Sequence, residues 1–170
     1  MLVVTSMGSK KVLRWVVLIL AFWGNLHSLE AQWETLEFPG VGRDFPEIEA
    51  LAFFDQENGI AVGEDGVVLK ITQAGEQWDT VLYNPTYQYE AVVVTHNATA
   101  IAVGHKFPLP PCGGGDDDGI VIKTTDGGNT WTTAFTKEGL WSLDFPSIQV
   151  GYAGADCGQA YKSTDAGASW

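Results

Sequence analysis

A nine-residue phrase occurs twice in this chain and constrains its fold more than any other feature. It reads KTTDGGNTW from Lys123 to Trp131 and KSTDAGASW from Lys162 to Trp170. A hydroxyl residue, Asp, Gly and Trp stand at matching offsets in the two copies. Self-similarity of this kind indicates a fold assembled from repeated units, so the repeat has to be placed before any local structure.

Three segments align on this phrase. Each contains a short apolar strand that ends at a glycine, a turn, and a second strand that leads into a lysine, with a tryptophan following. The glycines are Gly63, Gly104 and Gly154, the lysines Lys70, Lys123 and Lys162, and the tryptophans Trp78, Trp131 and Trp170. The second segment carries an insertion, and without it the period is roughly 40 residues, which is typical of β-propeller blades.

The repeat predicts an all-β fold. In the first segment, alternating apolar runs and turn residues predict strands at about 50–54, 59–63, 67–72 and 77–83. We therefore expect a partial β-propeller over 32–170, preceded by a signal helix, with about three four-stranded antiparallel blades. Their predicted ranges are roughly 46–84, 88–136 and 139–170, the last of them incomplete.

The first 31 residues have the organisation of a secretory signal peptide. Lys10, Lys11 and Arg14 precede an apolar run over 15–23, and a more polar stretch ends at Ala31. The run is short for a bilayer span, although a membrane anchor is the alternative. We expect export and a secreted, periplasmic or cell-surface location, with membrane contact only through an uncleaved signal segment.

The charge balance excludes one large class of partners. The chain has 9 Lys and Arg against 21 Asp and Glu, a formal net charge of −12. A phosphate-binding face needs clustered basic residues, so nucleic acid is not an expected partner. We also expect no cofactor.

Elementary turn chemistry explains the repeated phrase. Its aspartate can accept hydrogen bonds from backbone N–H groups just ahead, its glycine permits positive φ, and its tryptophan supplies bulk against a neighbouring element. The predicted structural residues are Thr124, Asp126, Gly128, Thr130 and Trp131, and Ser163, Asp165, Gly167, Ser169 and Trp170. A degenerate copy keeps Gly75 and Trp78 but has Gln73 in place of the aspartate, so we expect a weaker turn there.

These residues resemble the Asp-box, or BNR, repeat. The longer stretch GIAVGEDGVVLKITQAGEQW is similar to the repeat of exported Asp-box propellers related to photosystem II assembly and stability factors, and the likeness covers roughly Ile48 to Trp170. The resemblance implies a propeller in which the Asp-box is a structural turn remote from the ligand face. It does not choose a function, because sialidases, sortilin-like receptors and non-catalytic propellers share the repeat.

The resemblance also raises the question of blade number. A propeller closes with at least four blades, whereas this sequence supplies three, the third without an outer strand. The segment 31–38 resembles one that follows an Asp-box tryptophan. We expect these residues to be the front of a longer reading frame; the alternative is that several copies assemble into a ring.

Two cysteines fall in loops that a propeller places on the face opposite the Asp-box turns. Cys112 lies in the insertion HKFPLPPCGGGDDDG, and Cys157 lies in the equivalent loop of the third blade. Two interpretations remain open: a disulfide that bridges adjacent blades, or two free thiols in exposed loops.

Further residues near this face are candidates for a ligand or an ion. Tyr87 and Tyr89, in the link between the first two blades, could form an aromatic platform for a peptide or sugar, although core or rim packing is the favoured interpretation. His105 is expected at the surface of the same face. The run Asp116, Asp117 and Asp118 is a weak calcium candidate, because consecutive side chains do not converge unaided; a solvated acidic loop is the favoured interpretation.

Two functions follow from these patterns. The favoured hypothesis is an exported, non-catalytic binding or scaffold module for a protein, peptide or glycan, with assembly-factor-like action as one form of it. The alternative is a sialidase-like glycoside hydrolase, which the resemblance implies would use three arginines and a Tyr–Glu nucleophile. Only Arg43 follows the predicted signal, so most of that machinery would lie beyond residue 170.

Overall fold

The computed structural model describes residues 35, 46–108, 112 and 117–170. In this part of the chain the regular structure is eleven β-strands and three single 3₁₀ turns. No described helix has the length and apolar character that crossing a membrane requires. The predicted signal peptide and Asp116 lie outside the described residues.

Blade 1 is a four-stranded antiparallel sheet with its strands in chain order. The strands are β1 (Ile48–Phe53), β2 (Gly59–Gly63), β3 (Val68–Thr72) and β4 (Gln77–Leu82). Their bounds lie close to the predicted ranges. The two central strands carry apolar residues on both faces because each face is covered, which is why β2 is buried along its whole length.

Blades 2 and 3 repeat the same meander. Blade 2 comprises β5 (Tyr87–His96), β6 (Thr99–Lys106), β7 (Gly119–Thr124) and β8 (Thr132–Thr136). Blade 3 comprises β9 (Leu140–Asp144), β10 (Gly151–Ala155) and β11 (Ala160–Ser163), a three-stranded sheet in the described residues. The first strand of each blade contacts the first strand of the next, β1 against β5 and β5 against β9. The predicted all-β partial propeller is confirmed.

Two of the three apolar clusters in the described residues lie between successive blades, and the third consists of residues of blade 1. Ile60 and Val62 of blade 1 pack with Ala102 and Ile122 of blade 2, all nearly or fully buried. A second cluster joins blades 2 and 3. Burying each large aliphatic side chain contributes about 1.5–3 kcal/mol, so the blades stabilise one another.

The Asp-box turns that follow β7 and β11 are closed by side-chain hydrogen bonds. Asp126 Oδ1 accepts from Thr124 Oγ1 at 2.8 Å and from the backbone N–H of Thr130 at 2.9 Å, and Asp126 Oδ2 accepts from Thr130 Oγ1 at 2.6 Å. Thr124 Oγ1 in turn accepts the N–H of Gly128 at 2.9 Å. The bonds from Thr130, then that from Thr124, lower the pKa of Asp126 to about 2.

The turn of blade 3 repeats this arrangement. Ser163 and Ser169 take the places of Thr124 and Thr130, and hydrogen bonds led by the Ser169 hydroxyl lower the pKa of Asp165 to about 2. The two turns therefore place the same atoms in the same contacts, as their shared sequence phrase requires.

The degenerate turn of blade 1 keeps its backbone shape without an aspartate. Ala74 and Gly75 have φ of 55° and 98°, as Ala166 and Gly167 have 57° and 79°. In each of the three turns, one backbone N–H also donates to a carbonyl in the turn between the first and second strands of the same blade. In blade 1 the Ala74 N–H donates to the Glu57 carbonyl at 3.1 Å. The fold of the blade thus imposes this conformation where the Asp-box sequence is lost.

Candidate functional site: the acidic mouth of the inner strands

The two ends of the blades differ in chemistry. The Asp-box turns lie at one end, and the connections between the second and third strands lie at the other. In blades 1 and 3 these connections are the 3₁₀ turns Glu64–Gly66 and Asp156–Gly158, and in blade 2 the connection is the insertion that follows Lys106. At the end opposite the Asp-box turns, His105 of blade 2 contacts Trp141 of blade 3, and the charge of Glu90 in blade 2 acts on Glu49 in blade 1.

A β-bulge recurs near this end in the first strand of each blade (β1, β5 and β9), which we call the inner strand. The pairing skips Glu49 in β1, Glu90 in β5 and Trp141 in β9, because the flanking residues pair and these do not. A bulge re-aims the side chain of the extra residue, and bulges are common beside functional sites. The residue just before the bulge pairs with Gly63 in blade 1, Gly104 in blade 2 and Ala155 in blade 3. The third position equivalent to these glycines is therefore Ala155, and the predicted Gly154 is wrong.

The residue that follows Gly63, Gly104 or Ala155 is polar in each blade. We call the six residues together the inner-strand mouth: the bulge residues Glu49, Glu90 and Trp141 and their partners Glu64, His105 and Asp156. Each blade therefore contributes one pair, and the three pairs differ in charge.

In blade 2 the pair combines a base with an acid. His105 Nε2 lies 3.1 Å from Glu90 Oε1, and His105 Nδ1 lies 2.9 Å from the Lys106 carbonyl. The histidine and glutamate side chains are 4% and 13% exposed, so this is a largely buried contact. Among the described residues it is the one ion pair within 4.0 Å, when the histidine is protonated.

In blade 3 the pair is a tryptophan and an aspartate. Trp141 Nε1 donates to Asp156 Oδ1 at 2.7 Å, which fixes the indole ring. The ring centroid lies 4.6 Å from that of His105, so blades 2 and 3 are joined by a tilted ring contact. Trp141 remains 43% exposed and presents an aromatic surface beside the acidic groups.

In blade 1 the pair consists of two acids, and a third acid joins it. The carboxylates of Glu47, Glu49 and Glu64 lie within 4.8 Å of one another. Glu49 is exposed, and slight desolvation of its carboxylate, followed by the charges of Glu90, Glu47 and Glu64, raises its pKa above the usual value for glutamate. Like charges this close destabilise one another, and in the described part of the chain none of them has a cationic partner in an ion pair.

The structure supports the packing interpretation for two candidate ligand residues and corrects the prediction for a third. Tyr87 and Tyr89 belong to β5 rather than to the link between blades, and Tyr89 is 3% exposed, so burial raises its pKa. His105 is 3% exposed instead of lying at the surface, because β6 continues through Lys106 and carries it into the interface with Trp141. Tyr87 is partly buried, with its ring 6.2 Å from Phe135. Of the three, only His105 joins the inner-strand mouth.

Backbone hydrogen bonds hold the two ends of the insertion in place. The Phe107 N–H donates to the Thr86 carbonyl and the Lys106 N–H to the Asp118 carbonyl, each at 2.7 Å. Cys112 and Cys157 are joined in a disulfide with a Cα–Cα distance of 5.8 Å, which links the insertion to the 3₁₀ turn of blade 3. This is the first of the two interpretations that the sequence left open.

Two members of the acidic run lie in the described residues. Asp117 is exposed, whereas Asp118 is 5% exposed and uses its carbonyl in the bond to Lys106. The carboxylates that do converge are those of Glu47, Glu49 and Glu64. No local sequence pattern signals this cluster, because the pairing of β1 with β2 brings Glu47 and Glu49, at the start of β1, to Glu64 in the 3₁₀ turn after β2.

The clefts at the opposite end are formed by the Asp-box turns themselves. One of about 300 Å³ is lined by residues including Lys123, Thr132 and Gly167. Another of about 440 Å³ includes Lys70 and Asp126. The Asp126 carboxylate already accepts four hydrogen bonds, so it is committed to the turn.

Comparison with solved structures identifies the fold. The structure titled "YCF48 bound to D1 peptide" superposes with a TM-score of 0.62 at 19% sequence identity, covering 81% of this chain and 42% of that one. YCF48 from Cyanidioschyzon merolae gives a TM-score of 0.60 at 17% identity, covering 82% and 42%. This chain has the YCF48 propeller fold.

The likeness to YCF48 is one of architecture. At these identities it shows the fold alone, and the chain spans less than half the length of the YCF48 chains that it matches. No protein-family model matches the sequence, and no curated protein does. Function therefore has to be argued from the residues of the inner-strand mouth.

Proposed function

We propose that this chain is the binding part of an exported, non-catalytic β-propeller, and that its inner-strand mouth takes a basic side chain of a peptide partner. One observation carries the proposal. Blade 2 pairs Glu90 with His105, whereas the equivalent positions of blade 1 are both acidic, Glu49 and Glu64, and Glu47 lies beside them. A lysine or arginine from a partner supplies the cation that blade 1 lacks.

An exposed aromatic ring in blade 3, at the same end of the blades, adds to the case for a cationic ligand. Trp141 is fixed by Asp156 and keeps 43% of its surface exposed on the same end of the blades. A cation over a tryptophan face is attracted by the ring quadrupole, by about 0.5–1 kcal/mol at exposed sites. Charge complementarity then contributes to specificity and association rate.

The class of partner is supported by the comparison. A YCF48 structure is titled as bound to a D1 peptide, so a propeller of this architecture takes a peptide ligand. On that basis the partner proposed here is an extended peptide or a protein segment, and an assembly-factor-like role is the form of binding function that fits. Export rests on the predicted signal segment at 1–31.

The glycosidase alternative finds less support. Residues 46–170 contain no arginine, so they supply none of the three positive charges that a sialidase-type carboxylate clamp uses. An acidic mouth also repels an anionic sugar. A sialidase function would therefore need a site built from residues outside this part of the chain.

Fluorescence polarisation with two labelled peptides tests the proposal. One peptide contains several lysines and arginines, and the other has the same sequence with glutamates in their place. We expect binding of the basic peptide only, with affinity that falls as salt increases. The Glu49→Gln/Glu64→Gln variant should bind about tenfold more weakly.

Glu57→Gln/Glu76→Gln is the matched control, because both are exposed glutamates at the Asp-box end of blade 1. It also removes two negative charges and does not touch the mouth. Equal binding of the two peptides, or an equal loss of affinity in the control and in the mouth variant, would show that the mouth is not the site.

A further inference from the structure

Three exposed aromatic side chains stand around the link between blades 1 and 2, and none of them belongs to the inner-strand mouth. Tyr83, Phe107 and Phe135 are 59%, 58% and 49% exposed, and we call them the seam aromatics. In the described residues, Tyr83 and Phe107 have the largest exposed fractions of any large apolar side chain. An aromatic ring buries a large area and loses little conformational entropy on binding, so exposed rings on ordered backbone are common binding anchors.

The link itself is a closed turn over residues 84–87. The Tyr87 N–H donates to the Asn84 carbonyl at 3.0 Å, and the Thr86 N–H donates to Asn84 Oδ1 at 3.2 Å. Pro85 fixes a further backbone torsion inside the turn. The side chains around the link are therefore carried by backbone that is ordered before any ligand binds.

Tyr83 is anchored to the 3₁₀ turn of blade 1. The Asn84 N–H donates to the Asp65 carbonyl at 3.1 Å, and the Tyr83 hydroxyl lies 3.5 Å from Asp65 Oδ2. Gly66 packs against the same link, since a Cβ at Gly66 would collide with the Asn84 carbonyl oxygen. Asp65 directly follows Glu64, so this side of the link borders the acids of the inner-strand mouth.

Phe107 and Phe135 approach the same link from blade 2. The Phe107 N–H donates to the Thr86 carbonyl at 2.7 Å. The ring of Phe135, which lies on β8, is 6.2 Å from the ring of Tyr87. Tyr87 is partly buried, so it supports Phe135 from below. Contacts with residues 83–87 thus gather the three seam aromatics at one place.

We propose that the seam aromatics bind a large apolar side chain of the same peptide whose basic side chain enters the inner-strand mouth. The inference rests on the proposed function, because the acids of blade 1 select the occupant. Glu64 belongs to the mouth, and its neighbour Asp65 contacts Tyr83, so one extended peptide reaches both surfaces. The partner sequence therefore has a basic residue and an aromatic or large aliphatic residue a few positions apart.

Charge favours such a peptide over two other occupants. A neutral sugar would stack on the rings but would leave the carboxylates of Glu47, Glu49 and Glu64 without a cation. A second copy of this chain, with a formal net charge of −12, would bring further negative charge to an acidic end. A peptide that is both basic and apolar complements the two surfaces together.

Fluorescence polarisation with two labelled basic peptides tests the inference. One contains a phenylalanine, and the other has alanine in its place. We expect the phenylalanine peptide to bind about tenfold more tightly, because the ring buries apolar area on the seam. The seam variant Tyr83→Ala/Phe107→Ala should bind the two peptides alike. Glu49→Gln/Glu64→Gln should weaken both and keep their ratio, because it changes a separate contact.

Phe53→Ala/Ile148→Ala is the matched control, because it removes two exposed apolar side chains at the Asp-box end. It should keep the tenfold preference. Phe107→Leu retains apolar surface and should keep part of the preference. The thermal unfolding midpoint of each variant, monitored by circular dichroism, reports on folding. Moving the phenylalanine along the peptide should reveal one preferred spacing from the basic residue.

Equal affinity for the two peptides in the unmodified chain overturns this inference and leaves the proposed function standing. Binding of neither peptide removes both. A preference that survives in the seam variant, or that is the same at every spacing, also overturns the inference. Displacement of the peptide by a neutral glucose oligosaccharide would assign the rings to a sugar and has the same consequence.

Discussion

His105 lies between two hydrogen-bond acceptors, the Glu90 carboxylate at 3.1 Å and the Lys106 carbonyl at 2.9 Å. A neutral imidazole carries only one N–H, so both contacts are hydrogen bonds only when a second proton is shared between His105 and Glu90. The ring of Trp141 packs against the same imidazole, with the two centroids 4.6 Å apart.

Separating this pair should destabilise the fold. His105→Leu leaves the Glu90 carboxylate, which is 13% exposed, without its partner, and we expect unfolding to become easier by about 3 kcal/mol. The double variant His105→Leu/Glu90→Leu should lose less, because no unpaired charge remains. Urea denaturation of the four proteins in the cycle measures the coupling, and additive losses would contradict a paired role.

The Asp-box aspartates should make the chain sensitive to strong acid. The pKa values of Asp126 and Asp165 fall from 3.8 to about 2 in the folded chain, so their contribution is complete above about pH 4 and is lost as pH falls toward 2. Asp126→Asn/Asp165→Asn should unfold more easily at neutral pH and lose less stability between pH 4 and 2. Parallel curves for the two proteins over that range would argue against this linkage.

Adjacent glycines in the Asp-box turn should respond differently to alanine. A Cβ at Gly127 meets nothing within 4 Å, and Ala74 and Ala166 occupy the matching positions at similar φ. A Cβ at Gly128 would lie 2.5 Å from Ile60 Cδ1. We expect Gly127→Ala to cost about 1 kcal/mol and Gly128→Ala clearly more. Calorimetric unfolding decides between this order and its reverse.

The disulfide should stabilise the fold by reducing the conformational entropy of the unfolded chain. Cys112 and Cys157 are separated by 45 residues, and closing a loop of that size stabilises the native state by about 2–4 kcal/mol. Cys112→Ser/Cys157→Ser should lower the unfolding free energy by that amount. Treatment with a thiol reductant should reproduce the loss in the unmodified chain and leave the double variant unaffected; a reductant effect on the variant would point elsewhere.

Binding of a basic peptide should weaken in mild acid. The pKa of Glu49 is raised above the usual value for glutamate, first by slight desolvation and then by the neighbouring glutamates. Its carboxylate is therefore protonated at a higher pH than an isolated glutamate, and attraction for a cation falls as pH drops through that raised value. Glu49→Gln should flatten the pH profile of affinity between about pH 7 and 4. An unchanged profile would remove Glu49 from the site.

Local chemistry made much of the architecture predictable. The spacing of Asp126, Gly128 and Trp131 identified the turn, and its recurrence at Asp165 placed the blades, because each of these contacts spans only a few residues. The burial of His105 was not predictable in the same way. Its surroundings depend on where β6 ends and on which blade packs against it.

The sequence by itself determined the repeated turns, the strand order within each blade and the acidic charge, since short-range hydrogen bonding and periodicity encode them. Only the tertiary structure decided that Glu49, Glu90 and Trp141 are equivalent and that Glu64, His105 and Asp156 stand beside them. A bulge determines which residue of a strand is left unpaired, and no local sequence pattern signals its position. Cross-strand register and the packing of one blade on the next therefore determine which charges meet.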